Sequence, residues 1–368
     1  DGTVIAAPAA LRRGTNADPA TIDELAGLLA QARDPVLVVG ADADDPATWA
    51  ALVALAERLA APVWQDSFAA RAGFPQDHPL FAGHLPAGRT RLRETLARHD
   101  VVLAVGAPVF RQYPYEPGPL VAPGTTLVQV TDDLEDAHHS PVALAVVAGP
   151  AEVCAALAER LPARDRTAPP AKRPAPPPPP GYGGPLRAAH VMTALAQRLP
   201  AAAVVVEETP SSRPDLHELL PARAPLGFLR AATGGLGFGL PAAIGVRMAA
   251  PHRPVVAVLS DGPSLYGIQA LWSAAHYRCG VLFVVLANGR YAVMDRLAEQ
   301  HGRGKAPWPT FAEVSISVLA KGLGCPAIAV ETHDDLLYVL DDVVPTLADR
   351  TGPLLLEVAV VPETTFAP

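Results

Sequence analysis

Cysteine is scarce in this sequence, and the few thiols are poorly placed for joint use. Cys154, Cys279 and Cys325 are the three present in 368 residues. Their spacing fits no zinc pattern, and an odd, sparse count argues against a disulfide framework. Cys154 and Cys279 lie in apolar stretches and read as packed thiols; the compartment implied is reducing, the cytoplasm. Basic charge is short as well. Lys and Arg number 29 against 37 Asp and Glu, a formal net charge of -8, without a basic cluster. That excludes nucleic acid and anionic lipid as partners, and the dispersed acidic charge serves solubility. No apolar run reaches the ~20 residues needed to span a bilayer. The chain starts Asp1-Gly2-Thr3, with neither an initiator Met nor a signal-peptide pattern, and reads as a processed or cut end.

What is present is apolar and α/β in rhythm. Half the residues are apolar and 18% charged, the balance of a well-buried globular protein, and the length calls for two domains. The periodicity predicts a helix over 20–32, a strand at Pro35–Gly40, a helix over 46–60, then strands at Pro62–Trp64, Asp100–Gly106 and Thr126–Val130. A helix is expected near 89–98 and another over 150–161. Near-continuous Val/Leu strands alternating with helices imply parallel sheets covered on both faces. The fold class expected is therefore α/β, as two tandem open parallel-sheet domains with helices on both faces.

Residues 168–184 break the rhythm with Pro169-Pro170, the run Pro176–Pro180 and Gly181-Tyr182-Gly183-Gly184. Proline at that density favours an extended, semi-rigid spacer. Domains are expected at 1–165 and 185–368, with a Pro-rich linker over 166–184. In the second domain, helices are expected over 186–198, 238–249, 264–277 and near 333–349. Its strands are expected at Ala203–Val206, Val255–Leu259, Val281–Ala287 and Leu354–Val361.

Ser260-Asp261-Gly262-Pro263-Ser264 closes one of these strands, and Asn288-Gly289-Arg290 closes the next, Asn288 standing 27 positions after Asp261. Asp-Gly or Asn-Gly alone is an ordinary turn. Between them lies an expected helix with Leu265, Ile268, Leu271, Trp272 and Ala275 on one face. A right-handed crossover would return the chain beside its starting strand. Asp261 and Asn288 should then emerge together at the carboxyl ends of neighbouring strands, where open α/β sheets bind ligands. A carboxylate, an amide oxygen and the carbonyl of Arg290 are hard donors suited to Mg²⁺. Gly262 and Ser264 open the following helix, whose N–H groups favour a diphosphate.

Beyond this pattern, Val255–Asn288 resembles the thiamine diphosphate motif, a Gly-Asp-Gly followed some two dozen residues later by Asn. Ala242-Ala243-Ile244-Gly245, Ala270–Ala275, Asn288-Gly289-Arg290-Tyr291, Pro62-Val63-Trp64, Gly106–Arg111 and Leu319–Gly322 resemble the thiamine diphosphate-dependent 2-oxo acid decarboxylases of the benzoylformate decarboxylase kind. The resemblance implies a middle domain followed by a diphosphate-binding domain, thiamine diphosphate and Mg²⁺ as cofactors, and a small 2-oxo acid as substrate. Metal would be held by Asp261, Asn288 and the main chain of Arg290. Cofactor would be bound by Gly234, Leu236, Asp261, Gly262, Pro263, Ser264, Asn288, Arg290 and Tyr291. Leu236 matches the apolar residue that props the cofactor into a bent shape, and Gly234 the position whose carbonyl accepts from its 4′-amino group.

Val293 and Met294 match pocket positions. Arg230 stands where the related enzymes have an aromatic residue, implying a more polar or acidic substrate. Tyr113 replaces an active-site histidine; a phenol titrates near ~10 rather than ~6.5, so it donates a hydrogen bond rather than shuttling protons. His138 and His139 read as solvated residues of a polar loop. Ser260 replaces the first Gly of the motif, Ala287 the first of two Asn, and Pro210 a hydroxyl residue at the diphosphate.

The family also needs a glutamate and a histidine from an N-terminal pyrimidine-binding domain, which residues 1–20 are too few to supply. The expectation is that Asp1 follows that domain, supplied by another polypeptide in a homo- or hetero-oligomer, a dimer or tetramer. Two other functions share the fold: an acetolactate synthase-like carboligase, for which residues 35–45 lack a flavin signature, and a non-catalytic partner subunit. A nicotinamide dehydrogenase is disfavoured, because no Gly-x-Gly-x-x-Gly follows the early strands. Gly234–Gly237 lacks both the spacing and a strand before it.

Overall fold

The computed structural model describes residues 10–13, 18–113, 115–164, 174–181, 183–300, 302 and 308–362. Asp1, much of the expected linker (166–173 and Tyr182) and Pro114 lie outside the described residues. The chain divides into two compact units, 1–172 and 173–367.

The first unit runs β1 (Ala10–Arg13), α1 (Pro19–Gln31), β2 (Val36–Val39), α2 (Pro46–Leu59), β3 (Val63–Gln65), β4 (Phe81–His84), α3 (Arg89–Leu96), β5 (Val101–Val105), β6 (Thr126–Thr131), α4 (Leu134–His139), β7 (Leu144–Val147) and α5 (Pro150–Arg160). Its seven strands are ordered β1-β7-β6-β5-β2-β3-β4, all pairs parallel. Strand alternation explains the unbroken apolar runs. Leu37 and Val39 pack with α1, α2 and α5, whereas Val36 and Val38 join Leu92 and Leu96 of α3 and Ala137 of α4 on the other face. Each such side chain removed from water contributes about 1.5–3 kcal/mol. Pro46 starts α2, and the carboxylate of Asp45 caps it by accepting from the N–H groups of Ala47 and Thr48. His138 and His139 are exposed, but they end α4 rather than lying in a loop.

The second unit runs α6 (Ala188–Arg198), β8 (Val204–Glu208), α7 (Arg213–Leu219), β9 (Phe228–Arg230), α8 (Gly239–Ala249), β10 (Val255–Ser260), α9 (Asp261–Leu265), α10 (Ala270–His276), β11 (Val281–Ala287), α11 (Ala292–Gln300), α12 (Ile316–Gly322), β12 (Ala327–Val330), α13 (His333–Val343) and β13 (Leu354–Ala359). The sheet order is β12-β13-β11-β10-β8-β9, again all parallel. Val255, Ala257 and Leu259 of β10 pack with α8, α10 and α12, and the alternate Val256 and Val258 are fully buried too.

Two expectations fail in the crossover from β10. The helix expected over 264–277 is two short helices, α9 and α10, parted at Tyr266–Gln269. The break brings Gly267 against Gly237: a Cβ on Gly267 would lie 3.2 Å from the Gly237 carbonyl oxygen. Trp272 does not share the buried face. It is 53% exposed and stacks on His276, while Leu271 and Ala274 face the core. In addition, β9 precedes the Gly234–Gly237 segment, where no strand was expected. All three cysteines are buried and free, and burial pushes the Cys154 thiol up to about 12. Among the described residues, no helix is long and apolar enough to cross a membrane.

Candidate active site

β10 and β11 pair in parallel register, Val255 opposite Val281 and Ser260 opposite Leu286. The chain leaves β10 at Asp261 and reaches Asn288 one residue beyond β11, so these residues meet at the carboxyl edge of adjacent strands. The contact is direct. One carboxylate oxygen of Asp261 accepts from the N–H groups of Asn288 at 2.8 Å and Gly289 at 2.7 Å; the other accepts from Gly262 at 2.8 Å. The Asn288 side-chain oxygen accepts from the N–H of Arg290 at 3.0 Å, and Gly289 takes a left-handed φ of 68°. The loop 288–290 is thereby wrapped around the carboxylate. Burial raises the Asp261 pKa above the ordinary carboxylate range, against the lowering pull of Gly289, Gly262 and Asn288.

These donors suit a hard divalent ion. A carboxylate has about four lone-pair positions, three of them here taken by N–H groups, and an amide oxygen has two, one taken by Arg290. Each side chain retains acceptor capacity. Among the described residues no group of three His, Cys, Asp or Glu forms a metal-ligand cluster, so an ion here would rely on amide and main-chain oxygens beside the single carboxylate. The guanidinium of Arg290 turns to Asp295, at 3.9 Å.

Tyr291 forms the wall over this turn. A Cβ on Gly262 would stand 2.6 Å from Tyr291 Cε1 and 3.1 Å from Phe311 Cζ, and the two rings meet edge-on at 5.0 Å. Space, rather than backbone conformation, demands glycine at 262. Burial lifts the Tyr291 phenol above its usual range, with further contributions from Tyr266 and Asp261. Pro263 and Ser264 are buried within α9, the Ser264 hydroxyl donating to the Ser260 carbonyl at 2.7 Å.

The glycine-rich loop approaches the same turn. Gly234 and Gly237 have φ of 70° and 89°, and a Cβ on Gly237 would lie 3.2 Å from the Tyr266 carbonyl oxygen. Gly234 has open space around it, and Leu236 is 38% exposed, an apolar side chain offered outward from a loop fixed at its far end. Val293, half-buried in the first turn of α11, donates its N–H to Ser211 Oγ at 3.1 Å, whereas Met294 is exposed. Arg230 ends β9, buried, in register with Glu207. Tyr113 belongs to the first unit, where it is 69% exposed and its N–H donates to the Ala87 carbonyl.

Glu208, Thr209 and Ser211 also belong to this region, and no motif in the sequence marks them. Glu208, buried at the end of β8, accepts from the N–H groups of Gly237, Phe238 and Gly239. Thr209 Oγ1 and Ser260 Oγ lie 2.8 Å apart, which gives the motif's unusual serine a partner. Ser211 adjoins Pro210 in a 3₁₀ turn, so a hydroxyl stands one residue beyond the position where one was expected. The available signal was a pair of acids ending an all-Val strand.

Two family models match the chain: the thiamine pyrophosphate enzyme central domain over residues 22–157 and the thiamine pyrophosphate enzyme C-terminal TPP binding domain over 211–358. Benzoylformate decarboxylase from Pseudomonas aeruginosa strain PAO1 is 38% identical over 340 residues, 92% of this chain and 63% of that protein. Among solved structures, the thiamine diphosphate-dependent 4-hydroxybenzoylformate decarboxylase of Rhodococcus jostii RHA1 superposes with a TM-score of 0.88 at 33% identity, covering 96% of this chain and 66% of that one. Benzoylformate decarboxylase from Polynucleobacter necessarius gives 0.86 at 30%, covering 95% and 65%. The chain spans about two thirds of the length of each of these relatives.

Proposed function

The chain belongs to the thiamine pyrophosphate enzyme family, whose central and C-terminal TPP binding domains it carries, and on that premise we propose that it is the diphosphate- and metal-binding part of a non-oxidative 2-oxo acid decarboxylase. The observation that carries this reading is the convergence of Asp261 and Asn288 at the ends of β10 and β11. In it, Asp261, the Asn288 amide and the Arg290 carbonyl hold Mg²⁺, while Gly262, Pro263, Ser264 and Tyr291 line the diphosphate. The Gly234 carbonyl would be an acceptor for the cofactor's amino group, and Leu236 an apolar support for its rings. When bound, thiamine diphosphate supplies a nucleophilic carbon and an electron sink for loss of carbon dioxide. The chain's task is to orient that group, stabilise charge and exclude water.

Arg230, Val293 and Met294 belong to the substrate wall in this reading, and the guanidinium favours a 2-oxo acid with a polar or acidic substituent. A pyrimidine-binding domain or subunit completes the site within a dimer or tetramer, and the buried free thiols suit the cytoplasm.

The first unit weighs against an acetolactate synthase-like reading with a flavin between its strands. Its strand order reverses between β2 and β5, the place where open sheets take dinucleotides. There the backbone is closed on itself: the Gly40 N–H donates to Val105, the Asp42 N–H to Gly106, and a Cβ on Gly40 would lie 2.3 Å from the Gly106 oxygen.

Titration calorimetry with Mg²⁺ and thiamine diphosphate tests the assignment. Binding that requires both, and is lost in Asp261→Asn, is expected; a scaffold subunit would bind neither. Product analysis with the complementary domain present separates chemistries: aldehyde and carbon dioxide from one keto acid mean a decarboxylase, a hydroxyketone a ligase.

A further inference from the structure

We propose that Glu208 is a positioning residue for the cofactor: its buried carboxylate fixes the end of the Gly234–Gly237 loop and so the seat from which Leu236 is presented. This rests on the thiamine diphosphate reading of that loop. Successive residues of β8 face opposite ways. Glu207 turns to Arg213, its carboxylate 3.1 Å from the guanidinium, and to the N–H of Thr209. Glu208 turns instead to residues some thirty positions on, accepting from Phe238 at 3.3 Å, Gly239 at 2.7 Å and Gly237.

This is more than a helix cap. Phe238, the residue before α8, has helical backbone angles and makes no side-chain cap, so the strand supplies from a distance what Ser or Asp ordinarily supplies locally. Two of the three donors, Gly237 and Phe238, lie outside the helix, and Gly237 directly follows Leu236. The same carboxylate therefore anchors both α8 and the last peptide of the loop, while the Gly234 end has open space. The fit is close on the far side too: a Cβ on Gly239 would lie 2.9 Å from Glu208 Cβ and 2.5 Å from Leu259 Cδ2. Burial raises the Glu208 pKa, the three N–H groups drawing it back. A carboxylate in this position is all acceptor, matching three donors; a carboxamide would present its own N–H to them.

Hydrogen–deuterium exchange on Glu208→Gln tests the assignment. Exchange at the amides of Gly237, Phe238 and Gly239 is expected to quicken by at least about tenfold, the scale of one charged hydrogen bond lost, with β8 and the C-terminal half of α8 unchanged. Affinity for thiamine diphosphate with Mg²⁺ should fall by a similar factor. Glu208→Asp, which keeps the charge but withdraws it from the loop, should loosen the same three amides and carries the test if the glutamine variant does not fold. Unchanged exchange, or quickening spread through β8 and α8, overturns the proposal. The cofactor reading is judged separately in the wild type: if Mg²⁺ and thiamine diphosphate do not slow exchange in the loop, that reading fails, whatever the variants show about Glu208.

Discussion

At the scale of single residues, two positions separate function from stability in opposite directions. Leu236 is more than a third exposed, so shortening it opens no core cavity. A buried Leu→Ala costs about 2–5 kcal/mol, whereas surface changes stay within about 0.5 kcal/mol. Leu236→Ala should leave the denaturation midpoint nearly unmoved and lower kcat at saturating cofactor by at least about tenfold, the order of 1.4 kcal/mol in transition-state free energy. A large fall in stability with kcat retained would make Leu236 a packing residue instead. Gly262 is the converse case. Its Cβ position is taken by the Tyr291 ring, and overpacking of that kind costs about 1–3 kcal/mol. Gly262→Ala should show that loss in urea denaturation, and Tyr291→Leu in the same chain should return part of it. Equal costs in both backgrounds would clear the ring of blame.

At the scale of elements, α12 is held to the sheet by a device like the one at β8. Glu357 of β13 accepts from the N–H groups of Ile316 at 2.8 Å and Ser317 at 2.9 Å, and from the Ser315 hydroxyl. Burial alone would raise its pKa, but these bonds outweigh it and hold the carboxyl below its ordinary value. A depressed carboxylate contributes stability that is complete above the unfolded value, about 4.5, and is lost as pH falls through the folded one. Glu357→Gln should therefore be less stable than the wild type at pH 7, and the gap should close on acidification below about 4.5. Urea midpoints measured across that range decide it; a constant gap would remove Glu357 from the account.

β2, β5, β10 and β11 could be read in the sequence because strands buried on both faces appear as unbroken Val/Leu runs. β4 is an edge strand, ordered Phe81-Ala82-Gly83-His84 with its last three residues only half-buried, and it left no such run. The pairing of Asp261 with Asn288 was legible because one crossover connects them. Glu208 was not, because its partners lie beyond β9 and an acid ending a strand looks like any polar strand end. The broken helix α9–α10 escaped for a related reason: Gly267 matters through Gly237, and periodicity records only neighbours along the chain.

At the scale of the whole molecule, each unit has its own apolar interior. The first is built on both faces of its sheet by β2, β5, β6 and β7 with α1–α5, the second by β8, β10, β11 and β13 with α8, α10 and α12. The metal and diphosphate donors assigned to the chain all belong to the second unit. A ligand that binds the folded form of one unit raises that unit's stability by RT ln(1 + [L]/Kd), about 2.7 kcal/mol at a hundredfold excess over Kd. Calorimetric unfolding should then resolve two transitions, and Mg²⁺ with thiamine diphosphate should raise only one of them. For a unit of this size such a gain corresponds to a rise of roughly 5–10 °C. Asp261→Asn should abolish the rise, and Tyr113→Phe, in the first unit, should leave it intact. A shift of both transitions together would mean that the units unfold as one cooperative body and that the cofactor stabilises more than the donors at the ends of β10 and β11.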